Sequence, residues 1–381
     1  MTDNLLRTPF YDTHVSFGGR MVEFGGWSLP VRFGSITEEH LHTRAACSVF
    51  DVSHMGRLKL TGPDTERFLN HVCTRNLAGA EVGRSYYTHL CRQDGGILDD
   101  VIVSRFETHW GVVCNAINRG KIVHWLDKHK GGFDVTIDDE TMLTAMLAIQ
   151  GPKTIAVVEE LAGLDLSSLK RYHFTVRNYL GARIVLYRSG YTGEDGLEIV
   201  APTGFARMLA PMLFGTKEKP HKIIKPAGLG ARDTLRIEAA MPLYGHELSE
   251  DVDPLTAHQG WCVDLSKDFI GSDALLRLKE QGLSRELVGL ELEGRRIARQ
   301  HQPVLVGDRT VGEVTSGTLS PTLGKSIAMA YVSSEHKAVG AALEVNLGKT
   351  RTVARVVKLP FYKRAAPTDC SPSRLQPQRG D

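Results

Sequence analysis

Two adjacent aspartates, Asp99 and Asp100, lie within the apolar stretch GGILDDVIV. A buried carboxylate is costly unless it is hydrogen-bonded or paired. Because neighbouring side chains on a strand point to opposite faces, we expect the two acids to serve different sides of a sheet. One carboxylate could line a pocket and accept a proton or a hydrogen bond from a ligand nitrogen. The alternative is a turn or an ion pair with an arginine such as Arg105, and the local pattern leaves open which acid faces inward.

A third carboxylate, Glu198, stands between two apolar residues in the stretch GYTGEDGLEIV. The segment TGEDG predicts a turn, and the residues that follow predict a strand. Within such a strand, Glu198 either faces solvent at a sheet edge or is satisfied by donors, for example the N–H groups of a nitrogen-rich heterocycle. Tyr191, just before the turn, could form an aromatic wall of that pocket.

The stretch GLGARDTLRIEAAMPLYG predicts a helix that is stopped by Pro242. Arg232 and Arg236 are four residues apart and therefore share one face of this helix. Like charges at that spacing are mildly destabilising unless negative charge lies nearby. Asp233, Glu238 or a bound ligand could supply it, and the alternative is a set of ordinary salt bridges on the helix surface.

The missing motifs and the spacing of the histidines and cysteines argue against the common hydrolase, nucleotide-binding and metal sites. The chain has no G-x-S-x-G, H-E-x-x-H, Walker or G-x-G-x-x-G motif. His40 and His42 form an H-x-H pair whose rings would splay apart on a helix, and the six cysteines are scattered without a C-x-x-C pair. We therefore expect no metal site and no disulfide framework.

Alternating strand and helix patterns must position the acids and arginines. They predict an α+β body over residues 7–265, built from two intertwined subdomains, and not a doubly wound sheet. Short strand patterns over residues 285–364, including a hairpin that turns at Gly307–Asp308, predict a small all-β barrel or sandwich. The proline-rich residues 365–381 are expected to be a disordered tail.

Composition narrows the class of protein further. The chain has 381 residues, 42% of them hydrophobic, and a net charge of +2. This is the composition of a globular protein with two or three domains, and no long Lys/Arg run points to nucleic acid. Because no apolar run is long enough to span a membrane and the N-terminus has no apolar signal core, we expect no membrane association and a cytoplasmic protein.

The ordered set of motifs resembles one family, the T protein of the glycine cleavage system, which is an aminomethyltransferase. The resemblance runs from about Thr8 to Arg364 and includes TPFYDTH, GGRMVEFGGWSLPV, HLHTRAACSVFDVSHMG, GGILDDVIV, AIQGP, GYTGEDGLEI, GLGARDTLRIEAAMPLYGHE, DFIG and TSGTLSPTLGKSIAMAYV. It implies a three-domain cloverleaf around a central folate pocket, with a C-terminal β-barrel domain.

The resemblance also implies an activity and partners. The family transfers the one-carbon unit from the aminomethyl-dihydrolipoyl arm of the H protein to tetrahydrofolate, giving 5,10-methylenetetrahydrofolate and releasing ammonia. Tetrahydrofolate is then a co-substrate, the lipoylated H protein is the partner, and the P and L proteins are functionally linked. A basic patch near the pocket mouth is expected because the lipoyl partner of the family is acidic.

Carried over motif by motif, the resemblance gives roles to single residues. Asp100 matches the catalytic aspartate near folate N10, which leaves Asp99 as a structural acid capped by donors or an arginine. Glu198 matches the glutamate that contacts the pterin, and Arg232 matches a folate-binding arginine. The further matches are pocket residues, namely Tyr191, Tyr87, Tyr172 and Asn115.

Two other functions stay open at this point. A folate-dependent demethylase would share the fold, although such domains are usually attached to a flavin domain that this chain lacks. A non-catalytic folate-binding relative would have less need of a carboxylate at position 100.

Overall fold

The computed structural model of the protein describes residues 5–364. The expected disordered tail, residues 365–381, lies outside them. Within residues 5–364 the chain forms eight α-helices and twenty strands. The helices are α1 (Tyr11–Ser16), α2 (Ile36–Ala45), α3 (Thr65–Val72), α4 (Arg119–His129), α5 (Thr154–Ala162), α6 (Thr203–Phe214), α7 (Leu229–Glu238) and α8 (Ser272–Gln281).

The strands belong to three open sheets and one closed barrel. In chain order they are β1 (Leu6–Arg7), β2 (Arg20–Phe24), β3 (Trp27–Arg32), β4 (Cys47–Asp51), β5 (Gly56–Thr61), β6 (Arg84–Cys91), β7 (Ile97–Arg105), β8 (Trp110–Cys114), β9 (Thr136–Asp139), β10 (Thr144–Gln150), β11 (Phe174–Tyr179), β12 (Ala182–Tyr187), β13 (Gly196–Pro202), β14 (Ile224–Pro226), β15 (Arg285–Leu292), β16 (Pro303–Val306), β17 (Arg309–Leu319), β18 (Ser326–Ser333), β19 (Ala342–Asn346) and β20 (Arg351–Val357).

An antiparallel five-stranded sheet in the order β6-β7-β8-β5-β9 carries the acid pair. Apolar residues of α3 and α4, including Phe68 and Ile122, pack with Val103 and Trp110 of the sheet into one core. Full burial of side chains of this size stabilises the fold by about 1.5–3 kcal/mol each. Strand β7 lies between β6 and β8, so its backbone is fixed on both sides.

A six-stranded sheet in the order β11-β12-β13-β10-β4-β14 forms the second layer. One face packs against α5 and α6, where Val157 and Phe205 are buried. The other face packs against α7, where Phe50 and Ala148 of the sheet meet Leu235 of the helix. Since Ala148 is the register partner of Glu198 on β13, that glutamate lies on the face covered by α7.

The C-terminal strands close into a six-stranded barrel in the order β15-β18-β17-β16-β19-β20. Alternate residues point inward, and Leu290, Ala328, Ala330 and Val332 are buried in its core. The hairpin at position 307 is present, with Gly307 at φ +58° between β16 and β17. The expected α+β body with a C-terminal β-barrel is therefore confirmed. No helix within residues 5–364 is both long and apolar enough to cross a membrane.

Four buried charges, which we call the α7 junction, connect α7 with α2 and the barrel: Arg44, Arg236, Glu238 and Glu247. The Arg236 guanidinium donates to Glu247 Oε2 at 2.7 Å and to Ser316 Oγ of β17 at 2.7 Å. Glu238 accepts from Arg44 Nη2 at 2.9 Å and from the backbone of Thr322 at 3.0 Å. These contacts hold α7 in place against α2 and the barrel. They thereby also fix which face of α7 packs on the six-stranded sheet.

Candidate active site

Asp99 is completely buried and accepts three hydrogen bonds from amide donors. The backbone N–H of Asn115 donates to Oδ2 at 2.9 Å, while Asn115 Nδ2 and Asn118 Nδ2 donate to Oδ1 at 2.8 and 2.7 Å. Strand β8 ends just before Asn115, and a single 3₁₀ turn over residues 116–118 brings both amides back onto β7. Asp99 is thus a donor-capped acid, as expected, and amides rather than an arginine supply the donors.

Asp100 is half-buried and contacts two of the residues that the sequence singled out. The hydroxyl of Tyr87 on β6 donates to Asp100 Oδ2 at 3.0 Å, and Asn115 Nδ2 donates to Oδ1 at 2.6 Å. The Tyr87 ring stacks on the exposed indole of Trp261, with ring centroids 5.5 Å apart. Because the Asn115 amide reaches both carboxylates, the expectation that the two acids serve separate places is wrong in this respect.

Electrostatics disfavour two negative charges on this pair. Burial raises the pKa of Asp99 and the charge of Asp100 raises it further, whereas the Asn118 and Asn115 amides lower it. Burial also raises the pKa of Asp100, against the hydrogen bonds from Tyr87 and Asn115. The partners that contact the two carboxylates within residues 5–364 are amides and a phenol, so no direct cation offsets their repulsion.

Glu198 occupies the middle of the six-stranded sheet rather than an edge. On β13 it is paired with Ala148 of β10 and Tyr187 of β12, and only 8% of it is exposed. The hydroxyl of Ser189 donates to its Oε2. The solvent-facing alternative is therefore excluded, and one hydroxyl leaves acceptor positions of this carboxylate for other donors.

Arg232 lies on the buried side of α7 above the ring of Tyr191, with the guanidinium carbon 4.7 Å from the ring centroid. Its Nη1 is buried and has no hydrogen-bond partner among residues 5–364. Burial lowers the pKa of Arg232, and the negative charge of Glu198 opposes that shift. A buried guanidinium nitrogen without an acceptor is unusual, and it fits a site that takes an oxygen or nitrogen acceptor from a ligand.

Tyr191 connects the acid pair to the arginine. Its hydroxyl donates to the carbonyl oxygen of Pro242 just beyond α7. Burial raises the pKa of this phenol; the charge of Asp100 acts in the same direction, and that of Arg232 acts against it. The Tyr191 ring thus contacts Arg232 directly, and its phenol is influenced by the charge of Asp100.

Among the expected site residues, Tyr172 has no contact within residues 5–364 that links it to the other residues of the site. Its backbone adopts φ +61°, and its carbonyl oxygen accepts from the Ser85 N–H at 2.7 Å. Its ring is half-buried beside Arg171. Within residues 5–364 no hydrogen bond links its side chain to Asp100, Glu198 or Arg232, so its role stays a prediction.

Three contacting residues were missed by sequence reasoning: Asn118, Ser189 and Trp261. Asn118 follows Asn115 by three residues, a spacing at which one tight turn brings both amides to the same place. Ser189 stands two residues before Tyr191 and so belongs to the motif already considered. Nothing local marks Trp261, because its stacking on Tyr87 joins positions distant in the chain. Among residues 5–364 no group of three or more His, Cys, Asp or Glu side chains could hold a metal ion.

Two family models match the chain, one on each side of residue 285. The model described as the GCVT N-terminal domain covers residues 10–267. The model described as the glycine cleavage T-protein C-terminal barrel domain covers residues 285–363, which include every strand of the barrel.

Curated relatives match over nearly their whole length. A protein from Alkaliphilus oremlandii named aminomethyltransferase is 42% identical over 366 residues, covering 95% of this chain and 98% of the relative. Proteins of the same name from Rubrobacter xylanophilus and Bacillus subtilis are 44% and 41% identical, covering 94% of this chain and 95% and 100% of the respective relatives.

A solved structure has the same architecture. The crystal structure of glycine cleavage system aminomethyltransferase T from Bartonella henselae matches with a TM-score of 0.87 at 33% identity. The match covers 94% of this chain and 98% of that chain.

Proposed function

The chain belongs to the glycine cleavage T-protein family of aminomethyltransferases, and from this premise we propose that it transfers a one-carbon unit to tetrahydrofolate. The donor is the aminomethyl-dihydrolipoyl arm of the H protein. The products are 5,10-methylenetetrahydrofolate, ammonia and the dihydrolipoyl arm. The observation that carries the proposal is the buried Nη1 of Arg232, which has no hydrogen-bond partner among residues 5–364, on a guanidinium that lies over the Tyr191 ring and is influenced by the charge of Glu198.

Glu198, Arg232 and Tyr191 are suited to hold the folate. The pterin offers N–H donors, which a carboxylate with free acceptor positions takes well. The unpartnered nitrogen of Arg232 gains an acceptor when the ligand binds, which removes the cost of leaving that nitrogen unsatisfied. Aromatic faces such as those of Tyr191 and Tyr87 suit a flat heterocycle. Asn115 is placed to fix the carboxylate that faces the reacting atoms, and Tyr172 is proposed as an outer aromatic residue of the pocket.

Asp100 is the residue proposed for proton transfer. In the overall reaction N5 and N10 of the folate together lose two protons, while the leaving amine and the lipoyl sulfur each gain one. A carboxyl group next to N10 can orient that nitrogen, stabilise the positive charge that develops on it and accept its proton. Binding both substrates in one site supplies a further part of the rate.

The partner and the location follow from the same proposal. The lipoylated H protein delivers the aminomethyl group, and the P and L proteins complete the system by loading and reoxidising that arm. We propose a cytoplasmic enzyme without a metal ion. The five cysteines that lie within residues 5–364 are all free and buried, which agrees with a reducing compartment.

The decisive experiment measures ammonia and 5,10-methylenetetrahydrofolate after mixing the enzyme with aminomethylated H protein and tetrahydrofolate. The expected result is equimolar formation of both products, with none from H protein that carries an unloaded lipoyl arm. Binding of tetrahydrofolate without ammonia release would indicate the non-catalytic relative. Formation of methylenetetrahydrofolate from sarcosine, with a flavin-dependent dehydrogenase added to take the two electrons and at a rate above that seen without this chain, would indicate the demethylase.

A further inference from the structure

The two carboxylates of the acid pair differ in the kind of donor that they meet. All three donors to Asp99 are N–H groups, from the backbone and side chain of Asn115 and from Asn118. Asp100 meets one N–H group and the hydroxyl of Tyr87, which contacts its Oδ2 at 3.0 Å. An N–H group can only donate, whereas a hydroxyl can also rotate and accept.

This difference determines where a proton can reside. Burial and the charge of Asp100 raise the pKa of Asp99. Against them, a protonated Asp99 would turn its O–H toward N–H groups that cannot accept it, and the three N–H donors favour the ionised form. A protonated Asp100 can donate from Oδ2 to the Tyr87 oxygen while its Oδ1 continues to accept from Asn115. Asp100 is also the half-buried member of the pair, so its proton can exchange with a ligand, whereas Asp99 is fully buried.

The two acids are close enough to repel each other. Both Oδ1 atoms accept from the same Asn115 Nδ2, at 2.8 and 2.6 Å, and are therefore separated by no more than two hydrogen-bond lengths. Two carboxylates in such proximity rarely ionise together, because each charge raises the proton affinity of the other.

Two cations lie near the pair but bond to its neighbours: Arg75 donates to the Tyr87 carbonyl oxygen and Lys121 donates to the Tyr244 hydroxyl. The titratable groups that follow are neutral near pH 7 and do not relieve the repulsion. His89 is the register partner of Asp100 on β6, and burial lowers its pKa to about 3, so it is neutral near pH 7. Burial raises the pKa of Cys262, which contacts His89, to about 12. The phenols of Tyr87 and Tyr191 are likewise neutral, since burial raises the pKa of each. Around Asp99 the corresponding groups are Cys114 and Tyr244, both with raised pKa values.

We propose that Asp99 stays ionised and that its charge keeps Asp100 protonated in the resting enzyme, which makes Asp100 the proton donor to the departing ammonia. Asp99 is then a positioning residue that acts through Asp100. This inference rests on the proposed function, because it names the source of a proton that the proposed reaction requires.

The proton and electron pairs balance within one ring-closing step. Asp100 gives its proton to the amine nitrogen of the one-carbon unit, which leaves as ammonia with the electron pair of the broken carbon–nitrogen bond. The bond between the same carbon and N10 forms from the N10 lone pair. Asp100, now a carboxylate, takes the proton that N10 loses and returns to its starting form. No oxidant, reductant or further acid is needed.

The direct test is a ¹³C NMR titration of enzyme labelled at its aspartate carboxyl carbons, with the Asp100 resonance assigned by its absence in Asp100→Asn. In the wild type we expect Asp100 to titrate above the ordinary range of an aspartate. In Asp99→Asn we expect its midpoint to fall by about 1–2 pH units, because the neighbouring charge is gone. An unchanged midpoint, or a wild-type titration at Asp99 instead, overturns the inference. This measurement needs no substrate and so stands apart from the proposed function.

The pH profile of ammonia release tests the same idea in turnover. The wild-type rate is expected to fall as Asp100 ionises, and in Asp99→Asn this alkaline limb should shift to lower pH by the amount seen in the NMR titration. Asn118→Ala is the matched variant, since it removes one donor to Asp99 but touches no atom of Asp100. Asn118→Ala should lower the maximal rate of ammonia release without shifting the alkaline limb of the profile to lower pH. If both variants only scale the wild-type profile, Asp99 has a structural role and the inference is wrong.

Discussion

Two arginines on successive turns of α7 have opposite environments. Arg236 is 1% exposed, and its guanidinium donates to Asp233, Glu247 and Ser316 at 2.7–2.9 Å. Arg232, four residues earlier on the same face, stacks on Tyr191 and has a buried Nη1 without a partner among residues 5–364. The first belongs to the α7 junction, and the second belongs to the candidate active site.

This contrast shows that different residues of α7 serve the stability of the fold and the binding of a ligand. A buried charge whose partners all come from the chain itself holds elements together, and removing either partner leaves the other unpaired. A buried polar group that lacks a partner costs the fold free energy and is available to bind a ligand. The same contrast applies to carboxylates: Glu238 in the junction accepts from five donor groups, whereas Asp100 in the site accepts from two.

The largest effect is expected on the site side of this comparison. Asp100→Asn removes the group proposed to donate and accept the proton, so kcat should fall about 10³- to 10⁴-fold. The melting temperature should change little, because the resting Asp100 carboxyl is proposed to be neutral and the asparagine that replaces it can still accept from Asn115. Ammonia release and thermal unfolding, measured on one preparation, check this. Asp99→Asn, the neighbouring control, should lose less at its own optimum pH, and equal losses in the two variants would contradict the assignment of roles.

On the junction side, Arg236→Met should destabilise the protein by about 3–5 kcal/mol, because Glu247 is left buried without its cation. Denaturant unfolding followed by circular dichroism measures this loss. Arg232→Met is the matched control, with the same substitution one turn earlier on the helix. If the two variants lost similar stability, Arg232 would also be a structural arginine.

Acid should weaken the junction through Glu238. Burial would raise its pKa, but the His40 hydrogen bond and charge, together with Ser320 and Arg44, lower the pKa to about 2. A carboxyl group with a depressed pKa stabilises the fold above its unfolded value near 4.5 and loses that contribution as the pH falls toward 2. The contribution is about 3 kcal/mol at pH 7. Thermal unfolding between pH 7 and pH 3 should therefore decline more steeply in the wild type than in Glu238→Gln, and parallel curves would refute the assignment.

The smallest effect is expected for Arg232 itself. Arg232→Met should weaken tetrahydrofolate binding about 10- to 100-fold, the range for one or two hydrogen bonds from a charged group. Calorimetric titration with tetrahydrofolate measures the dissociation constant, with Arg236→Lys as a control that keeps the junction charge. Unchanged affinity in Arg232→Met would remove the main support for the folate site.

Much of the candidate site could be predicted because its signals are local. The apolar run around the acid pair marks β7, the turn GYTGEDG marks the start of β13, and Pro242 marks the limit of the helix that carries both arginines. The strands that were not predicted are β1, β2, β3, β4, β6, β11, β14, β19 and β20. The five residues of β4, Cys47–Asp51, are buried on both faces of the sheet and therefore show no alternation that would reveal a strand.

The sequence by itself determined which residue types stand at which positions, the resemblance to one family, and the division into an α+β body and a barrel. Only the tertiary structure decided that Asn115 reaches both carboxylates, that Tyr87 contacts Asp100, and that Arg236 is satisfied while Arg232 is not. Periodicity and turn chemistry act over a few residues, whereas these hydrogen bonds join positions 11 to 80 residues apart. The pairing of β7 with β6 and β8 brings Tyr87 and Asn115 to the acid pair. The packing of α7 against the six-stranded sheet and the barrel gives Arg236 its partners.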